Sequence, residues 1–97
     1  MNAARGETGL LVDGEMRRLC LTLGALAEIE GTLGCRTLAE LEARMRSLSA
    51  ADLILVLAAL LRGGGEPDFA RRFGEREVPA GAAAQAVAEA FRLGLAP

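Results

Sequence analysis

The chain has 97 residues, 52% hydrophobic and 25% charged, with eleven Lys/Arg against thirteen Asp/Glu and a net charge of −2. That composition supports a single domain with one core and excludes wholesale disorder. The charges are interspersed without a basic stripe, and three Phe with no Tyr or Trp offer no base-stacking platform, so nucleic acid is not expected as a partner.

Residues 1–8 are small and polar and predict a loose N-terminal arm. Leu10-Leu11-Val12 then meets Asp13-Gly14, followed by Glu15 to Leu21. Asp-Gly between two short runs predicts an antiparallel hairpin, because both turn residues tolerate positive φ. In the second run Arg17, Leu19 and Leu21 share one face, and Met16, Arg18 and Cys20 the other. A lone hairpin is marginal, so it must pack on helices or pair with another strand, and an open edge would be a docking site.

Thr22 predicts an N-cap for a helix over Leu23 to Leu33, with Gly34 closing it. Its expected stripe is Leu23, Leu26, Ala27, Glu30 and Leu33, with Ile29 near it. Thr37-Leu38-Ala39-Glu40 reads as a capping box for a second helix, Leu38 to Arg46, with the stripe Leu38, Leu41, Met45 and Leu48. Glu40–Arg44 and Glu42–Arg46 are expected ion pairs on its wet side. Ser49 and Asp52 cap a third helix that runs to Arg62 and stops at Gly63-Gly64-Gly65, expected as a hinge. At about 100° per residue, Leu53, Val56, Leu57, Leu60 and Leu61 gather on one face and Leu55, Ala58 and Ala59 on the other. The second face needs a cover, supplied by the last helix or by a partner.

Pro67 opens a short helix ended by Gly74, with Phe69 and Phe73 as its anchors. Pro79 starts a final helix to Leu93 whose stripe is Ala80, Ala83, Ala84, Val87 and Phe91. So little apolar area per turn predicts the least firmly held part of the fold. The fold class expected is α+β: a two-stranded antiparallel hairpin followed by a bundle of four to five short helices. One domain spans 1–97, divided into the arm 1–8, a core of hairpin and three helices over 9–62, the hinge 63–65 and a helical segment 66–97.

The sequence holds no histidine, the commonest general base and transition-metal ligand. Its carboxylates are scattered, its glycines form no nucleotide-binding pattern, and Cys20 and Cys35 cannot build a metal site alone. No catalytic, cofactor-binding or metal-binding residue is therefore assigned, and no activity is expected. Two cysteines without a signal peptide fit a reducing cytoplasm, where both serve as small apolar side chains. The apolar run Ala50 to Leu61 is shorter than the about 20 residues that span a membrane.

The run Leu21-Thr22-Leu23-Gly24-Ala25-Leu26-Ala27-Glu28-Ile29-Glu30, followed by Leu33-Gly34, resembles the gene-transfer-agent family of small phage tail proteins. Arg5-Gly6-Glu7, Asp13-Gly14, Ser49 with Asp52, and Leu61 to Gly65 fall in the same order as in that family. The resemblance covers residues 5 to 65; beyond it the tail matches only in being helical, alanine-rich and ending near Phe91-Arg92-Leu93. It implies a role in building a phage-like tail, either as a tail tube component or as a tail assembly chaperone. Two strands are few for a tube subunit, which favours the chaperone role. The partners implied are other tail proteins, the tail tube or the tape-measure protein, with self-association left open. The protein would act in the cytoplasm and could enter a phage-like particle. The expected partner-binding residues are Leu55, Ala58, Ala59, Val87 and Phe91. A generic helical adaptor unrelated to phage is the competing reading.

Overall fold

A computed structural model describes residues 2–75 and 77–96. Met1 of the expected arm, and Arg76 and Pro97 of the expected C-terminal segment, lie outside the described residues. The fold is α+β, a hairpin followed by five helices. Strands β1 (Glu7–Val12) and β2 (Glu15–Cys20) pair antiparallel, with Val12 opposite Glu15 and Glu7 opposite Cys20. Asp13 and Gly14 both take positive φ, 52° and 81°, which gives the tight turn the twist of its strands. Leu10, Val12 and Leu19 point inward and are buried, while Leu11 and Met16 form an exposed cross-strand pair on the other face. β1 takes in Glu7 and Thr8, and Ala3–Arg5 form a 3-10 turn capped by Asn2. The segment expected as a loose arm is thus largely ordered by local bonds.

Helix α1 (Leu23–Leu33) is capped by the Thr22 hydroxyl, which accepts the Ala25 N–H, and ends at Gly34. Its buried face is Ala25 and Ile29, rotated from the expected stripe, because Leu23 stands clear of the core at the first turn. Helix α2 (Leu38–Met45) and helix α3 (Ala50–Gly63) follow. From Val56 to Leu61 every residue of α3 is buried, packed by β2, α1, α4 (Pro67–Arg71) and α5 (Ala80–Gly94). Each fully buried Leu there contributes about 1.5–3 kcal/mol. Phe73–Glu75 make a second 3-10 turn, and the Phe69 and Phe73 rings lie 6.2 Å apart against the core.

Two of the three glycines expected as a hinge, Gly63 and Gly64, are closely packed. A Cβ on Gly63 would collide with the carbonyl oxygen of Cys20, and one on Gly64 with that of Arg18. The end of α3 therefore lies directly on β2. Glu66 extends this seam: one carboxylate oxygen accepts the Arg18 N–H at 2.5 Å and the other accepts from Arg17 at 3.2 Å. The Arg17 guanidinium also stands over the Phe69 ring, 4.3 Å from its centroid. No helix among the described residues is long and apolar enough to cross a membrane.

Candidate protein-binding groove

The α2–α3 corner fixes one wall of a groove. The Ser49 hydroxyl accepts the Asp52 N–H, and the Asp52 carboxylate accepts the Ser49 N–H, a complete capping box. Arg44 near the end of α2 donates to the same carboxylate at 2.8 Å. The Arg44 bond first, then the Ser49 backbone bond, holds the Asp52 carboxyl below the usual carboxylate range. Arg44 is thereby spent on α3, and the ion pair expected with Glu40 does not form. Glu40 accepts the Arg36 N–H at 3.1 Å instead. The pair Glu42–Arg46 does form, at 3.5 Å.

Between this corner and α5 runs an apolar groove of about 830 Å³. Leu38, Leu41, Met45 and Leu48 form one wall, Leu53 the end, and Val87, Phe91 and Leu95 the other wall. Leu41 and Val87 are buried, Met45, Leu48, Leu53 and Phe91 are half-buried, and Leu38 and Leu95 are each 55% exposed. Glu42, Arg46 and Arg92 stand among the lining residues. These charges are paired within their own helices: Arg46 with Glu42, and Arg92 with Glu89 at 2.6 Å. The Arg92 bond keeps Glu89 below the usual carboxylate range, and Glu89 pushes Arg92 up. The groove thus offers apolar walls between neutralised charges. Such a surface accepts aliphatic side chains spaced along an amphipathic helix better than a small polar substrate, which needs convergent polar groups.

Val87 and Phe91 lie together in this groove. Ala58 and Ala59 lie elsewhere, covered by the chain's own elements at 9% and 1% exposure, while Leu55 is 48% exposed. The five expected binding residues therefore do not share one surface. The α5 stripe is also shifted: Ala83, Ala86, Val87 and Ala90 face the core, and Ala80 and Ala84 are exposed. The α2 residues of the groove were expected only as a core stripe. Of that stripe the structure buries Leu41 alone, leaving Met45 and Leu48 half-buried and Leu38 exposed. Among the described residues no group of three His, Cys, Asp or Glu side chains gathers as a metal site.

A family model described as "Phage tail tube protein, GTA-gp10" matches residues 5–96. No curated protein and no solved structure matches the chain.

Proposed function

The chain belongs to the gene-transfer-agent phage tail family, and from that premise we propose that it acts without catalysis, as a tail assembly chaperone that holds another tail protein in the α2–α5 groove. The observation that carries this reading is the groove itself: eight apolar side chains, six of them on helices α2, α3 and α5 and two, Leu48 and Leu95, just beyond helix ends, flank an open volume. The occupant expected is an apolar or amphipathic segment of the tail tube or tape-measure protein, bound before tail assembly and released as the tail forms. A half-buried Phe beside exposed leucines is the kind of anchor that dominates binding energy.

A structural tail tube subunit is the second reading, favoured by the wording of the family description. Against it stands the sheet: the described residues form two strands, with helices covering one face. A DNA-transfer assay tests the first reading. Leu38→Ser alters an exposed groove residue and should lower transfer at least tenfold while the circular dichroism spectrum stays unchanged. Transfer at the wild-type level by Leu38→Ser and Phe91→Ala alike would remove the groove from tail assembly.

A further inference from the structure

We infer that the groove between α2 and α5 takes an amphipathic α-helix of another protein, one that carries large apolar side chains at i, i+3 or i+4 and i+7, and takes neither an extended strand nor a second copy of this chain. This rests on the binding role proposed above, and the groove's geometry adds the form of the occupant. The two long walls repeat one spacing. Leu38, Leu41 and Met45 stand at i, i+3 and i+7 on α2. Ala84, Val87 and Phe91 stand at i, i+3 and i+7 on α5. Rows of that spacing are the seams into which the side chains of a further helix interlock.

Backbone chemistry argues against a strand. Along the walls the N–H and C=O groups are engaged within α2 and α5, so they offer no ladder of free donors and acceptors. A strand laid between them would bury its own backbone groups without partners, whereas a helix brings its bonds with it. The surface of this chain argues against a second copy. Outside the groove, no helix among the described residues exposes large apolar side chains at i, i+3 and i+7. Leu23 stands alone on α1, Ile54 and Leu55 are neighbours on α3, and Leu11 and Met16 lie on strands. Two grooves, both concave, do not fill one another. The rim then sets the charge of the occupant. Glu42 pairs with Arg46 and Glu89 with Arg92, so the rim is balanced. The helix that fits it is flanked by mixed or neutral side chains, not by a run of one sign.

Nuclear magnetic resonance of the full chain with methyl-labelled methionine tests this, because Met45 lines the groove and Met16 lies on the outer face of the hairpin. The probes are overlapping peptides of about 20 residues, each several helical turns long, that cover a gene-transfer-agent tape-measure protein and tail tube protein. At least one is expected to shift the Met45 methyl resonance, leave Met16 in place and show helical circular dichroism when bound. A proline at the centre of that peptide should weaken binding at least tenfold, as should Leu38→Ser in the chain. Added salt should change the affinity by no more than about twofold, since the rim charges cancel. A peptide that moves Met45 without helical signal, or that keeps its affinity with the central proline, would overturn the helical occupant and leave the binding role standing. A Met45 resonance that shifts on dilution of the chain alone would give the groove to a second copy and overturn the proposal as well. If no peptide moves Met45, the helical occupant and the binding role both fall.

Discussion

Cys20 and Cys35 differ in ways that chemistry can read. Cys20 is buried; burial first, then the Glu7 charge, pushes its thiol up, with Arg5 opposing. Its Sγ–H donates to the Arg5 carbonyl at 3.6 Å. Cys35 is half-buried in the turn after α1. Alkylation of the native chain near neutral pH should therefore mark Cys35 first, and intact-mass measurement after short exposure checks this. Gly64 is the second residue whose role is sharp. Gly64→Ala forces a methyl group into the Arg18 carbonyl and should lower stability by about 1–3 kcal/mol or more, read from urea denaturation. The triple glycine was legible in the sequence as a helix end. Its contact with β2 was not, because a close approach depends on which strand the chain returns to.

At the level of elements, local signals carried far. The Asp13-Gly14 turn, the Thr22 and Ser49 caps and the Pro67 start all act within a few residues, so they were legible as written. Helix rotation was not legible, because the face that is buried depends on neighbours distant in sequence; Leu23 and Ala80 are exposed for that reason. Of the residues that line the groove, Val87 and Phe91 are among those expected to bind a partner, whereas Leu38, Leu41, Met45 and Leu48 are legible in the sequence only as the apolar stripe of a helix. The capping box at Ser49 should be worth about 1 kcal/mol, the cost expected for Ser49→Ala in thermal unfolding. Its Asp52 partner adds a pH dependence. Because the folded carboxyl is shifted below its unfolded value, its contribution is complete above the unfolded value and is lost as pH falls through the folded one. Asp52→Asn should therefore flatten the acid limb of stability against pH. Hydrogen exchange should find α2 and α5 opening before α3, because α2 buries one residue and α5 three alanines and a valine.

For the whole molecule, the buried second half of α3, Val56 to Leu61, organises everything else. α3 contacts the hairpin at its end and α1, α4 and α5 along its length, which leaves α2 and α5 to flank a groove instead of closing on each other. The groove lies on the helical layer, away from the exposed Leu11–Met16 pair on the outer face of the sheet. The central claim is that the groove captures another tail protein. Size-exclusion chromatography with light scattering, on this chain alone and mixed with a gene-transfer-agent tape-measure protein, tests it most directly. The expected result is a complex of defined stoichiometry that Leu38→Ser abolishes and Leu11→Lys does not. Rings or tubes formed by this chain alone, with no complex on mixing, would contradict it and make the protein a structural part of the tail.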